Sequence, residues 1–283
     1  MTVKLQVLIC TYGADGIARL AQSRHPKVSG VEYLVSWQTD GSTTVPESLV
    51  RYDMKIYPVS GKGLSANRNH ALGRATAPLL LISDDDVVYT EENLLNVISA
   101  FDDNADADIL TFRYDTLNCH KTYPERQVSL ACPHKGYFIS SIEIAFRRDS
   151  IQGRIWFNEN FGIGAIFPSG EEDVFIHDCL SAGLTGRFIP ATVARHDGDT
   201  TTQRTAMLPS IPLTKGAVFI HTHPADWLPR MAIHALRESR GWFRGRALSP
   251  FSYVRNWLRG VRLARRLRVF PTPDYSAKYL RHG

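Results

Sequence analysis

The sequence "LLLISDDDVVYTEENLL" (Leu79–Leu95) places three consecutive aspartates, Asp84, Asp85 and Asp86, directly after an apolar run. The apolar run is typical of a buried strand, and the residues from Glu91 onward have the spacing of a helix. Three adjacent carboxylates repel one another unless positive charge lies among them. The stretch therefore predicts a strand, a turn that binds a positive group, and a helix.

Strand and helix patterns alternate through the first 115 residues. Strands are predicted at residues 4–10, 31–37, 54–59, 78–83 and 108–114, and helices at residues 14–24, 65–75 and 91–101. Ser65 is the expected N-cap of the second helix. The third helix carries an apolar face at helical spacing, formed by Leu94, Val97, Ile98 and Phe101. This alternation predicts an α/β fold, with a mostly parallel sheet flanked by helices.

Ligands of such sheets bind beyond the carboxyl ends of the strands. Four motifs follow four predicted strands, namely "CTYG" (10–13), "WQTDGST" (37–43), "GKG" (61–63) and the aspartate triplet. We therefore expect these motifs to meet at one edge of the sheet.

Beyond residue 115 we predict a strand at 140–149, a glycine-rich loop at 161–170, a helix at 171–183 that ends with Gly183 at C′, and a strand at 188–196.

Composition favours a globular protein with a sizeable core. The 283 residues are 43% hydrophobic and 22% charged. Every apolar run is shorter than the roughly 18 residues of a membrane span. We interpret the N-terminus as a strand and not a signal peptide, and expect a cytoplasmic protein. Ordinary thiols and loop histidines explain Cys119–His120 and Cys132–His134 better than a zinc site, because their spacing matches no standard zinc pattern.

The aspartates and the preceding segment "GKGLSANRNHAL" (61–72) have the chemistry of a diphosphate and metal site. In an extended chain Asp84 and Asp86 point to one side and Asp85 to the other. Carboxylates in this position favour Mg²⁺ or Mn²⁺, while Lys62 and Arg68 supply positive charge. The alternatives are a solvated acidic turn and a solvated basic helix start. The position at the ligand edge of the sheet favours binding.

The motifs "LICTYG", "GLSANRNHAL", "LLLISDDDV" and "GEEDVFIHDCLSAG" together resemble the family 2 glycosyltransferases with a GT-A fold. The order and spacing of the motifs agree across roughly residues 4–196. The resemblance implies a catalytic domain at residues 1–200, with a donor half at 1–115 and an acceptor half at 116–200. It also implies an inverting, metal-dependent enzyme of the hexosyltransferase type that uses a nucleotide sugar.

The resemblance implies roles for individual residues at the donor end. The nucleotide base is expected at Thr11 and Tyr12 and at Gln38 or Asp40. The chain departs from the family pattern here: it has Cys10–Thr11 where the family often has Pro-Thr, and "WQTDGST" where the family often has Asp-Asp-Gly-Ser. The diphosphate is expected near Arg68 and Lys62, and the ribose or donor sugar at Asp84, with Asp85 completing the predicted donor-binding set. The metal, Mn²⁺ or Mg²⁺, is expected at Asp86, and at His196 as in some relatives.

At the acceptor end the resemblance implies that Asp173 is the general base and that Glu172 binds or orients the acceptor. Displacement at an anomeric carbon independently requires a base opposite the leaving group. The alternative is the ordinary enrichment of acids at a helix start. A structural role is the alternative for His196. We interpret His221 and His223 as loop or core residues in preference to metal ligands. We interpret Trp156 and Phe157 as core residues in preference to residues that stack on a sugar.

The last 83 residues form a basic extension, with fifteen Lys and Arg residues and three acids. Val254, Trp257, Leu258, Val261 and Ala264 form one apolar stripe, and Arg255, Arg259, Arg262 and Arg266 lie off it. This pattern favours a helix at the surface of an anionic membrane. A helical lid on the catalytic domain is the alternative. The charge alone would also fit nucleic acid, but no nucleic-acid-binding motif accompanies it.

Together these features favour a glycosyltransferase that moves a sugar, most simply from a UDP-sugar, to a hydroxyl of a glycan or lipid-linked glycan. The expected location is the cytoplasm, in peripheral contact with the inner face of the membrane. Two alternatives use the same residues differently. One is another metal-dependent nucleotide-sugar or phosphoryl-transfer enzyme, and the other is a non-catalytic membrane-associated scaffold.

Overall fold

The structure is a computed structural model that describes residues 2–117, 121–132, 136–196, 210–242 and 248–280, without the side chains of 238–242. The predicted domain boundary at residue 200 and three residues of the zinc alternative (Cys119, His120 and His134) lie outside this part of the chain. Cys10 and Cys179 are buried and Cys132 is exposed, all with free thiols.

The described chain forms eight strands that join in one sheet. They are β1 (Leu5–Tyr12), β2 (Val31–Gln38), β3 (Met54–Val59), β4 (Leu79–Asp84), β5 (Ile109–Asp115), β6 (Val128–Ser129), β7 (Ile144–Arg147) and β8 (Gly186–Arg195). Their order is β3-β2-β1-β4-β7-β5-β8-β6. The first four strands pair in parallel, as do β5 and β8, whereas β7 runs antiparallel between β4 and β5. The predicted mostly parallel sheet is confirmed.

Helices cover both faces of the sheet. They are α1 (Gly13–Gln22), α2 (Leu64–Arg74), α3 (Glu91–Asp103), the single turn α4 (Arg148–Ile151) and α5 (Glu171–Ser181). Successive side chains of a strand point to opposite faces. Val7 and Ile9 of β1 accordingly pack with α1 and α3, while Leu8 and Cys10 pack with α2 and α5. The sheet therefore has one hydrophobic core on each face.

The ends of two predicted helices are confirmed in detail. Thr90 caps α3 through a reciprocal pair of hydrogen bonds with Asn93. At the end of α5, Gly183 has a positive φ of 84°, and the amide of Leu184 donates to the carbonyl of Cys179. This is the arrangement in which a glycine at C′ closes a helix.

Two predicted elements are wrong. Ser65 is not a cap, because α2 begins at Leu64 after Gly63, whose φ of 114° turns the chain into the helix. Ser65 is buried and donates its hydroxyl to the carbonyl of Phe161. The strand predicted at 140–149 is limited to β7, because a 3₁₀ turn at Ser141–Glu143 precedes it and α4 follows it.

The described part of the basic extension forms four further helices, α6 (Ser210–Thr222), α7 (Trp227–Trp242), α8 (Pro250–Leu267) and the short α9 (Ser276–Tyr279). Helices α6 and α8 cross closely at two glycines. A Cβ atom at Gly216 would lie 2.1 Å from the carbonyl oxygen of Trp257, and one at Gly260 would lie 1.9 Å from that of Leu213. Small residues at such crossings let helix backbones approach directly.

The apolar stripe of α8 faces protein and not lipid, which corrects the expected membrane-facing surface. Trp257, Val261 and Ala264 are buried against α6 and α7. The extension is also joined to the first 200 residues by hydrogen bonds from Asn158 to the carbonyl of Val269 and from Trp156 to Asp274. No helix in the described part of the chain is both long and apolar enough to cross a membrane.

Candidate active site

A cavity of about 1160 Å³ opens at the carboxyl edge of the sheet. The ends of β1, β2 and β4, the loop after β3 and the start of α5 all border it, as expected for a parallel sheet. Of the predicted site residues, those that line the cavity are Thr11, Tyr12, Gln38, Lys62, Arg68, Asp84, Asp85, Asp86, Glu172, Asp173 and His196. Asp40 does not line it. That side chain is exposed and accepts hydrogen bonds from Ser42 at 2.6 and 2.9 Å.

Each aspartate of the triplet has a different partner. Asp84, at the end of β4, lies 3.5 Å from a guanidinium nitrogen of Arg68. Asp86 lies 3.2 Å from Nε2 of His196. The Asp86–His196 pair forms because Val88 and Arg195 exchange backbone hydrogen bonds, which joins the turn after β4 to the end of β8. The sequence did not indicate this bridge.

Asp85 turns away from its neighbours, as the alternation of an extended chain predicts. It accepts a 2.5 Å hydrogen bond from the hydroxyl of Thr11 and two bonds of 3.1 Å from Arg19 on α1. Burial raises the pKa of Asp85, and the bonds from Thr11 and Arg19 oppose that rise. Thr11 and Asp85 therefore bind each other, and they join the ends of β1 and β4. Sequence reasoning missed Arg19, since nothing near it in the chain marks it.

Arg68 and Asn67 of α2 bind other parts of the protein. The Arg68 side chain is only 1% exposed and pairs with Asp84, Glu171 and, at 3.8 Å, Glu172. Next to it, Asn67 donates to the carbonyl of Thr11. The basic segment that the sequence associates with a diphosphate thus joins the ends of β1 and β4 to the start of α5. Lys62 remains at the cavity, with its ammonium group 5.9 Å from the ring centre of Tyr12.

Gln38 also acts on the loop after β3. It is buried and donates a 3.2 Å hydrogen bond to the carbonyl of Gly63. On the other side of that loop, the amide of Leu64 donates to the carbonyl of Ile163 in the glycine-rich segment. A Cβ atom at Gly164 would lie 3.3 Å from the backbone of Gly63, so the two loops are in direct contact. They form one rim of the cavity.

Three acids open α5 in different environments. Glu171 is buried beside Arg68, at 3.1 Å. Burial and the negative charge of Glu172 raise the pKa of Glu171 to about 8, with Arg68 opposing the rise. Asp173 is exposed to solvent within the cavity, and desolvation by the surrounding protein together with Glu172 raises its pKa to about 6, with Lys215 opposing. A carboxylate with this pKa has the properties of a general base near neutral pH.

A buried ion pair fixes the wall opposite α5. The ammonium group of Lys121 lies 2.6 and 2.7 Å from the two carboxylate oxygens of Glu143 and 3.0 Å from the hydroxyl of Ser140. Aromatic rings surround it, the nearest being that of Phe138 at 4.3 Å. This pair holds the segment from Tyr137 to Ile142 along the cavity. No local pattern in the sequence indicated this ion pair.

The remaining candidates are structural. Trp156 and Phe157 are buried, and Phe157 stacks on Phe175 with ring centres 4.1 Å apart. His221 bonds Asp178 at 2.6 Å and stacks on Phe270. These residues support the walls of the cavity, in agreement with the preferred interpretation of the sequence.

Comparison with known proteins relates part of the chain to a family. Residues 38–166 match the model of Glycosyl transferase family 2. No curated protein matches the chain. Among solved structures, residues 1–349 of S. aureus TarS match 94% of this chain and 92% of their own length, with a TM-score of 0.56 and 17% identity. A longer TarS chain matches 80% of this chain, with a TM-score of 0.53 and 18% identity. The match spans only 44% of the length of that longer chain.

The mannosyltransferase PcManGT from Pyrobaculum calidifontis, solved with GDP-Man and Mn²⁺, matches 95% of this chain and 72% of its own length, with a TM-score of 0.51 and 14% identity. At these identities the structural likeness concerns the fold. The sheet order, the carboxyl-edge cavity and the family model together define a glycosyltransferase with a GT-A fold. Residues 38–166 are just under half of the chain, and their match supports a glycosyltransferase of family 2.

Proposed function

We propose that the protein transfers a sugar from a UDP-sugar to a hydroxyl of a glycan or lipid-linked glycan acceptor, with inversion at the anomeric carbon. The observation that carries the proposal is the single cavity that places Asp84 and Asp86 at the end of β4 and Asp173 at the start of α5. A donor end and a base end are the two groups that this displacement needs. TarS has been solved with UDP and with UDP-GlcNAc, which supports the choice of UDP.

The donor lies along the ends of β1, β2 and β4 in this proposal. Thr11, Tyr12 and Gln38 border the nucleotide, and Lys62 is placed to face the diphosphate. Asp84 contacts the ribose or donor sugar, and Asp85 acts on the donor through its bond to Thr11. Arg68 acts indirectly, because its guanidinium is enclosed by carboxylates and reaches the donor only through Asp84.

Asp86 and His196 are the residues proposed to hold a divalent cation. Within the described residues no three His, Cys, Asp or Glu side chains form a ready-made cluster. The pair nevertheless has the chemistry of a partial site, since a carboxylate oxygen and an imidazole nitrogen lie 3.2 Å apart at the cavity. Mg²⁺ usually takes only one or two protein carboxylates and completes its shell with phosphate and water. Such an ion supplies positive charge for the departing diphosphate.

The proposed reaction is a direct displacement. Asp173 accepts the proton of the acceptor hydroxyl, whose oxygen forms a bond to the anomeric carbon from the face opposite the diphosphate. The bond from that carbon to the diphosphate oxygen breaks, and UDP leaves with the electron pair. Glu172, beside Asp173 and 20% exposed, orients the acceptor. An Asp173→Asn variant that binds the donor but fails to transfer would support this assignment of the base.

Contact with an anionic membrane is proposed for the outer faces of α7 and α8. On α7, Leu228, Ile233 and Leu236 are 52%, 49% and 68% exposed. On α8, Phe251 and the arginines at 255, 259, 262 and 266 are exposed at the spacing of one helix face. Exposed apolar and basic residues together favour anionic lipid. Lipid contact at this surface would bring the cavity near a lipid-linked acceptor.

A further inference from the structure

Helix α6 brings the C-terminal extension to the cavity. Its cavity-lining residues recur at intervals of three and four, so that they occupy one face of the helix; they are Ile211, Thr214, Lys215, Val218, Phe219 and Thr222. The adjoining wall is α5, which contributes Asp173 and Ile176. The extension therefore borders the space next to the proposed base.

The first turn of α5 is in direct contact with α6. Gly170, which precedes α5, has a φ of 87°, and a Cβ atom built there would lie 2.9 Å from Cγ2 of Val218 and 3.0 Å from Cγ2 of Thr214. One turn further on, Val174 packs with Val218. Lys215 follows Thr214 in α6 and lines the same cavity as Asp173.

Positive charge reaches Asp173 from α6. Glu171, Glu172 and Asp173 are consecutive carboxyls, and Arg68 is already paired with the first two of them and with Asp84. Lys215 is the cation that acts on Asp173 from α6, and it lowers the pKa of Asp173 against the effects of burial and Glu172.

The histidines of the same region carry no competing charge at neutral pH. His177 on α5 and His223, directly after α6, line the cavity, and burial lowers the pKa of each. His234 on α7 is near Lys215, and burial followed by the charge of Lys215 lowers its pKa to about 4. These three imidazoles are therefore neutral at pH 7 and above, and they add no positive charge to that of Lys215 near Asp173.

We propose that Lys215 is a positioning residue for the catalytic site, in which its ammonium group supplies the positive charge opposite Asp173. The inference rests on the proposed function of Asp173 as the base. It makes the C-terminal extension part of the catalytic machinery. A base acts only in its deprotonated form, so Lys215 extends the range of pH over which Asp173 can accept a proton.

The test compares Lys215→Met, which keeps the length of the side chain without its charge, with Lys215→Arg. The carboxyl carbon of Asp173 is followed by ¹³C NMR as the pH is raised, in protein labelled at aspartate. In Lys215→Met the titration midpoint of Asp173 should move upward by on the order of one pH unit. Lys215→Arg should return it to the wild-type midpoint, and the melting temperatures show whether each variant is folded.

The same variants are then compared in UDP release from UDP-GlcNAc between pH 5 and 9. The acidic limb of kcat/KM should move upward with the NMR midpoint in Lys215→Met, while UDP affinity stays unchanged. An unmoved midpoint in folded Lys215→Met would overturn the inference, as would a loss of rate that is equal at every pH. If Asp173→Asn releases UDP as fast as wild type, the proposed base is wrong, and the NMR midpoint still decides the role of Lys215. Should Lys215→Met fail to fold, Lys215→Gln replaces it under the same criteria.

Discussion

The three aspartates after β4 differ in how far they are open to a ligand. The Asp85 side chain is 10% exposed and neutralised by Arg19, whereas that of Asp86 is 43% exposed. Asp84 lies between them at 35%, with Arg68 beside it. Asp86 is therefore the member of the triplet best placed to add a bond to a cation without giving up a buried ion pair.

At this scale, Asp86→Ala should reduce the affinity for UDP in the presence of Mn²⁺ by about tenfold or more, because one ligand of the proposed ion is lost. Binding without Mn²⁺ should be unchanged. Isothermal titration with UDP, with Mn²⁺ or with EDTA, measures both quantities. Asp102→Ala, which removes an exposed carboxylate of α3, is the matched control. Equal affinities for Asp86→Ala and Asp102→Ala with Mn²⁺ would remove Asp86 from the metal site.

The sequence predicted the direction of a site residue's side chain only where that direction followed from the residue's position along a strand. The alternation of an extended chain correctly separated Asp85 from Asp84 and Asp86. The partners of these residues could not be predicted, because Arg19 and His196 reach them through tertiary packing. Arg68 shows the same limit. Its place in the chain predicted a ligand of the diphosphate, but its burial among three carboxylates makes it a link between α2, β4 and α5.

At the scale of elements, long periodic segments were predicted well and short ones were not. Strand β1 and helix α3 have strong patterns over eight and thirteen residues. Strand β7 has only four residues, and the apolar pattern around it continues into a turn that Ser140 and Glu143 cap. Glu143 is a buried carboxylate that is paired with Lys121, 22 residues earlier in the chain, and accepts further hydrogen bonds from Tyr123 and the amide of Ser140. No local pattern contains that information.

The contact between α5 and α6 can be tested with two glycines that share a backbone conformation. Gly170 and Gly183 have φ values of 87° and 84°, but the site of a Cβ atom is crowded only at Gly170. Gly183→Ala should lose about 1–2 kcal/mol of unfolding free energy from backbone strain. Gly170→Ala should lose roughly a further 1–3 kcal/mol, because α6 is displaced. Urea unfolding gives both values, and equal losses would show that α6 is not packed against this turn.

For the whole molecule, the fold of the first 200 residues followed from the sequence, but the placement of the extension did not. The apolar stripe of α8 has the same pattern whether lipid or protein covers it. In the structure protein covers it, because Gly216 and Gly260 allow α6 and α8 to meet. Two groups of residues stay exposed and are proposed to contact a membrane. They are the arginines on the opposite face of α8 and the exposed apolar residues of α7.

Flotation with vesicles tests that surface. At low salt the protein should bind vesicles that contain phosphatidylglycerol and should not bind vesicles of phosphatidylcholine alone. Reversing two charges of α8, in Arg259→Glu with Arg262→Glu, should abolish binding. The double variant Arg24→Glu with Arg126→Glu changes the net charge by the same amount at exposed positions outside the extension. It should retain most of the vesicle binding. Equal losses in the two double variants would reduce the effect to net charge, and the surface would then not be a membrane site.

The central claim is that one cavity joins a donor end at β4 to a base at the start of α5. The most direct measurement compares wild type and Asp173→Asn in two assays, UDP binding with Mn²⁺ and release of UDP from UDP-GlcNAc. We predict unchanged binding, together with a loss of turnover of about 10²–10⁴-fold, because the variant cannot accept the proton. Turnover at the wild-type rate would contradict the account, as would a parallel loss of binding and turnover.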